Sequence, residues 1–164
     1  MINKINFLFV TLFGIGKIKK IPGSVASLAT TIFLFFLLHM LKIPTNFILV
    51  FVIIIFFISL YAVNIFIKDL DNKDPKEVVI DEFIGQSIPI CLYEIAHEGA
   101  NETGYVLTVY FIMFILFRIF DIVKPYPVSY YDKNFKNSFG VIMDDVCAGL
   151  YVVAVLVLYM VITT

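Results

Sequence analysis

Apolar residues along this chain gather in runs, and the polar residues collect between them. Residues 47–67 form the clearest run, long enough to cross a hydrocarbon layer of about 30 Å as a helix. Runs at 80–96, 105–121 and 146–162 come after it, and residues 28–41, extended by 24–27, make a short or tilted span. Residues 5–13 are too few to cross and predict an interfacial or re-entrant helix. The pattern predicts an all-α fold: a small integral-membrane helical bundle of about four to five membrane-embedded helices, plus that short N-terminal helix.

The polar connections give this bundle a direction. Gly14, Gly16, Pro22 and Gly23 break helix, and Ser24 or Ser27 can cap the next one. Pro44 marks one turn, and Asp74 before Pro75 marks another in the charged loop at 68–79. Lys17, Lys19 and Lys20 place the first loop on the cytoplasmic side by the positive-inside rule, although they equally serve as lipid-headgroup contacts. Residues 97–104, HEGANETG, contain no Lys or Arg and belong outside. Counting crossings, residues 14–27, 68–86 and 118–145 all face the cytoplasm. Three polar segments then meet on one face of one bundle.

Composition agrees with the pattern. A chain of 164 residues with 61% hydrophobic and 15% charged residues has more apolar surface than one soluble domain could hide. We read one membrane domain over residues 1–164, with the N-terminal stretch retained, because no small-residue cleavage pattern succeeds it. A net charge of −1 offers no basic field for nucleic acid. Cys91 and Cys147 lie in apolar sequence without CxxC spacing and read as small core hydrophobes. Ser59 and Asn64, inside the clearest span, are expected to hydrogen-bond a neighbouring helix.

The chemistry lies at the run ends. Asp81, Glu82, Asp121, Asp144 and Asp145 put five carboxylates near a low-dielectric boundary, where they repel one another or take up protons unless a cation sits among them. Donors that are all oxygen select a hard ion, Mg²⁺, which commonly binds phosphate alongside carboxylates. All five are therefore candidate metal ligands and catalytic residues. Arg118 and Lys124 are the candidate phosphate-binding residues. Arg118 and Asp121, three apart on a helix, equally fit an ion pair that orients the carboxylate. Helix capping competes as a reading of the Asp144–Asp145 and Asp81–Glu82 pairs, but a pair of acids beside a Gly140 turn favours metal ligation. Asp69, Asp71, Glu77 and Asp132 read as solvated charges. His39 and His97 lack a ligand-spaced partner and are assigned no catalytic role. With no Ser–His–acid set and no exposed Cys beside a base, metal-activated water attacking phosphorus is the economical mechanism.

Taken together, these motifs resemble the phosphatidylglycerophosphatase A family of bacterial lipid phosphatases. Phe117, Arg118, Phe120, Asp121, Lys124, Pro125, Pro127, Asp132, Gly140, Asp144, Asp145, Ala148 and Gly149 fall in its pattern. So do Asp81, Glu82 and Gly85, and in the first loop Gly14, Gly16, Pro22, Gly23, Ser24, Ser27 and Leu28. The chain departs from the pattern at Lys19, where Pro is usual, at Ala26, where Gly is usual, and at Asn137 and Ser138, in place of a glycine-rich turn. The resemblance implies hydrolysis of the terminal phosphate of phosphatidylglycerophosphate to phosphatidylglycerol and phosphate, with Mg²⁺, in phospholipid biosynthesis. It also implies a phospholipid substrate, membrane lipids as surroundings, and a bacterial inner membrane with the active site on the cytoplasmic face. The acyl chains are expected along the lipid face of the bundle. A small transporter or cation-binding protein using the same carboxylates is the alternative reading.

Overall fold

The computed structural model describes residues 4–97 and 103–163. Among them there is helix and turn but no strand. α1 (Lys4–Val10) is succeeded by a 3-10 turn at Ile15–Lys17. α2 (Pro22–Phe35) continues through a π-helical turn, Phe36–Met40, and α3 (Thr45–Ile67) returns. Then come α4 (Ile80–His97), α5 (Thr103–Val123), the short α6 (Val128–Asn134) and α7 (Ser138–Thr163). Among the described residues, four stretches are long and apolar enough to cross a membrane: Pro22–Met40, Thr45–Ile67, Gly104–Val123 and Ser138–Ile162. The expected membrane bundle forms. The connection after α4, assigned to the outside, falls at residues 98–102, outside the described residues.

α4 is the centre. It packs against α2, α3, α5 and α7, and most of its side chains are buried, including Asp81, Gln86, Ser87 and Glu94. A helix surrounded by protein can carry polar groups that lipid would exclude. Pro89 inside α4 cannot donate to the carbonyl of Gly85 four residues earlier. Gly149 of α7 comes against that carbonyl, so closely that a Cβ at 149 would collide with it. Gly85 in turn admits α7, since a Cβ there would stand 2.6 Å from the Asp145 carbonyl oxygen. Small residues at both contact points let the two backbones approach. That approach brings the Asp145 segment beside Asp81 and Glu82.

α1 is too short to cross and lies against the end of α3. Asn6 donates to the Ala62 carbonyl at 3.1 Å, Phe7 meets Phe66 at 6.0 Å, and the Val79 amide donates to Val10. At the far end of the bundle, buried Glu94 accepts from Tyr110 (2.9 Å) and lies 3.1 Å from His39 Nε2. Cys91 and Cys147 are buried and free, as expected.

Three local expectations are corrected. The last helix starts at Ser138, not at 146, because Asn137 Oδ1 accepts the Gly140 amide at 3.0 Å and caps it. Asp144 and Asp145 therefore lie in the second turn, where they cap nothing. Gly140 is helical and packed on the Phe135 carbonyl rather than forming a flexible turn. Ser59 is buried with its hydroxyl unpartnered, and Asn64 is exposed, so neither bonds across helices as expected.

Candidate active site

The three polar segments do meet. A cavity of about 480 Å³ is lined by Pro22, Gly23 and Ser24 at the start of α2, and by Asn72, Asp74 and Lys76 of the α3–α4 loop. Asp81 and Glu82 of α4, Arg118 and Asp121 of α5, Lys124, and Asp144 and Asp145 of α7 complete it. All seven predicted site residues face one space.

Within it the carboxylates divide into two groups. One ligand oxygen each from Asp81, Glu82 and Asp145 lies within 4.8 Å of the others, a spacing that one cation can bridge. Asp121 and Asp144 stand outside this trio, each held by a cation. Arg118 Nη1 is 2.9 Å from Asp121 Oδ2, 3.8 Å from Glu82 Oε1, and donates to Ser27 Oγ at 3.3 Å. The Arg118–Asp121 pair that the helical spacing allowed is thus formed.

Lys124 owes its position to the end of α5. It takes a left-handed φ of 48° and donates its amide to Phe120, and Pro125 then prevents the helix from continuing. The reversal leaves its Nζ 2.7 Å from both Asp144 Oδ2 and Asp132 Oδ1. Partial burial works against its charge, but Asp144 and Asp132 outweigh burial and raise the Lys124 pKa above its ordinary value.

Five of the six buried side-chain polar atoms without a hydrogen-bond partner, among the described residues, belong to this neighbourhood. They are Asp81 Oδ1, Glu82 Oε2, Arg118 Nε and both amide atoms of Gln86, one turn beyond Glu82. Buried groups are normally satisfied, so such a concentration marks a place where something else supplies the partners. The first turn of α2 is likewise open, with no side-chain cap and Pro22 at its first position. Its Gly23 leaves room for the Glu82 carboxylate: a Cβ there would overlap Glu82 Oε1 and push that side chain aside.

Asp132 escapes the reading of charges by their position along the chain. Expected to be solvated, it is locked to Lys124, on a helix, α6, that no hydrophobic run announces. Its place in the family pattern is the available signal. Asp74 also does more than start a turn, since it lines the cavity together with Lys19. His39 and His97 lie outside the cavity lining.

An acid-lined, cation-braced cavity among membrane-crossing helices defines the class: an integral-membrane helical protein with a charged site at one end of its bundle. The chain belongs to the phosphatidylglycerophosphatase A family, whose model matches residues 8–160. It is accordingly a phosphatase, a phosphoric monoester hydrolase. It is 35% identical over 155 residues to phosphatidylglycerophosphatase A of Haemophilus influenzae, covering 94% of this chain and 88% of that protein. The Escherichia coli protein of the same name is 30% identical over 138 residues, 84% of this chain and 73% of the relative. A putative phosphatidylinositol-3-phosphatase of Bacteroides thetaiotaomicron is 35% identical over 147 residues, 88% of this chain and 86% of the relative. No solved structure matches the chain.

Proposed function

We propose that the chain hydrolyses the terminal phosphate of phosphatidylglycerophosphate, giving phosphatidylglycerol and inorganic phosphate for phospholipid biosynthesis, with Mg²⁺ held by Asp81, Glu82 and Asp145. The observation that carries this reading is the clustering of those three carboxylates within 4.8 Å, beside a buried Asp81 oxygen that has no protein partner. A donor set of oxygen alone fits a hard ion of this kind. Bound there, Mg²⁺ supplies positive charge against the charge that builds on the phosphoryl oxygens.

The chain's own groups do the rest. Arg118 has its Nε free, and Lys124 keeps one ammonium proton after its two carboxylate bonds, so both can donate to phosphoryl oxygens. Asp121 and Asp144 fix these cations in place. The uncapped amides of Gly23 and Ser24 add donors of the kind that helix N-termini offer to anions. Glu82 Oε2, free of protein partners, orients the water. The water oxygen bonds to phosphorus while the bond to the glycerol oxygen breaks, and the proton that the water gives up ends on that oxygen.

Lys19 and Lys76 at the cavity wall support a cytoplasmic orientation in a bacterial inner membrane, by the bias of basic residues toward that side. The Bacteroides relative favours a second reading, in which the headgroup is a phosphorylated inositol. Phosphate release from the two lipids separates them. Phosphatidylglycerophosphate is expected to be turned over at least about tenfold more efficiently than phosphatidylinositol 3-phosphate. The reverse preference would move the assignment to the inositol lipid.

A further inference from the structure

We propose that the apolar cleft between α1, α2, α3 and α4 receives one acyl chain of the same phosphomonoester lipid whose headgroup enters the acidic cavity. The proposal rests on the lipid-phosphatase reading and adds to it a place for the chain.

The cleft has a volume of about 420 Å³. Phe9 and Leu12 wall it on the N-terminal side, Phe33 on α2, Phe51 on α3, and Ile80 with Phe83 on α4. Thr30 is the one polar side chain in its lining, and its hydroxyl donates to the Ala26 carbonyl at 2.9 Å. No polar group is left to bind a headgroup. The chemistry suits a hydrocarbon.

Continuity with the cavity ties this cleft to the substrate. On α2, residues seven apart lie two turns along one face. Pro22 and Gly23 line the acidic cavity, and Ala29 and Thr30, seven residues on, line the cleft, with Phe33 one further turn along from Ala29. The step corresponds to about 10 Å along the helix axis, directed from the charged end into the bundle's apolar length. On α4 the first turn walls both spaces, with Ile80 and Phe83 on the side of the cleft and Asp81 and Glu82 on the opposite side, in the cavity. A lipid with its phosphate among the carboxylates and one chain laid along this face of α2 fills both spaces at once. Phe51 and Phe83, edge to face at 6.5 Å, stand together in the wall of the cleft. Apolar side chains exposed on α5 and α7, such as Phe111 and Leu158, offer the kind of surface that meets bulk lipid.

The full chain in detergent micelles, given phosphatidylglycerophosphate with a diazirine on one acyl chain, tests this directly. Labelling is expected at the Ala29–Phe33 segment and around Phe51 and Phe83, suppressed by excess unlabelled substrate but not by phosphatidylcholine. Label that is indifferent to the competitor, or spread over α5 and α7, would show only bulk lipid there and overturn the proposal. Kinetics give a second reading. Ala29→Phe, which narrows the cleft, is expected to lower the ratio of kcat/KM for the diacyl substrate to that for its deacylated headgroup by about tenfold. Phe111→Trp, on an exposed position of α5, is expected to leave that ratio alone. An unchanged ratio in Ala29→Phe contradicts the cleft assignment. Absence of phosphate release from either substrate by the unaltered protein would instead contradict the phosphatase reading, and the competition of the label would still report on the cleft.

Discussion

Gly23, in the first turn of α2, lies against the carboxylate of Glu82, with Arg118 Nη1 3.2 Å from where a Cβ would stand. No side chain fits there without displacing a member of the proposed metal-binding trio or the cation beside it. The helix itself would accept alanine, which is favoured over glycine by about 0.5–1 kcal/mol. Gly23→Ala is therefore expected to keep or raise thermal stability while lowering kcat/KM by at least about tenfold through misplacement of Glu82. Paired melting and phosphate-release measurements check it. Full activity in Gly23→Ala would mean that the Glu82 position is not critical.

The division of the carboxylates predicts unequal effects. Asp81→Asn and Asp145→Asn keep shape but remove charge from the trio, and should lower kcat by about a hundredfold or more while raising the Mg²⁺ concentration needed for half-maximal rate. Asp144→Asn, outside the trio, should also lower kcat, through the loosened Lys124, but leave the Mg²⁺ requirement near its original value. Metal titrations of the three variants distinguish the two patterns.

Lys124 bridges Asp132 and Asp144, and the two partners are not equivalent. Asp144 is 9% exposed and Asp132 26%. Lys124→Met should destabilise the fold, because it leaves the more buried carboxylate unpaired. Asp132→Asn should cost less than about 1 kcal/mol, as expected of a pair open to solvent. Chemical denaturation in detergent measures both.

The same bridge has a pH signature. The folded-state pKa of Lys124 is raised, so its ion pairing stabilises fully below the unfolded value of about 10.4 and is lost only as pH rises through the higher folded value. The Lys124 ammonium should thus stay charged in the folded protein from about pH 7 to 9, as NMR of the isotope-labelled lysine side chain measures. Loss of that charge within the interval would show that the amine deprotonates early and that its carboxylate partners do not hold it.

Glu94 belongs to the opposite end of α4, and its bonds with Tyr110 and His39 serve the fold. Tyr110→Phe should lower stability by about 1–3 kcal/mol, the cost of removing one donor from a buried acceptor, with little change in kcat. Equal losses of activity and stability would tie this network to the reaction.

Much of the fold was legible because lipid-facing helices are continuous apolar runs. The run at 47–67 anticipates α3 (Thr45–Ile67) within two residues. Where a helix faces the cavity instead, the signal fades. α7 begins eight residues before its apolar run because its early turns carry Asp144 and Asp145 inward, and the Asn137 cap that starts it resembles any loop residue. The same holds at the site. Acids and bases at run ends could be gathered by topology alone, but their pairing could not: Arg118 with Asp121 was one of two readings, and Lys124 with Asp132 depended on a short helix between two prolines and a capped terminus. The contact of Gly23 with Glu82 joins segments far apart in sequence and has no local signature at all.

If the Asp81–Glu82–Asp145 cluster runs a metal-dependent phosphatase on a lipid headgroup, its activity must come and go with the ion. Phosphate release from phosphatidylglycerophosphate by the purified protein in detergent is to be measured with Mg²⁺, then with excess chelator, then with Mg²⁺ restored. Release should stop with chelator and return with the ion in the unaltered protein, and Asp145→Asn should show little release at any stage. Release that continues under chelation, or that Asp145→Asn sustains at the original rate, would refute the metal role of the cluster.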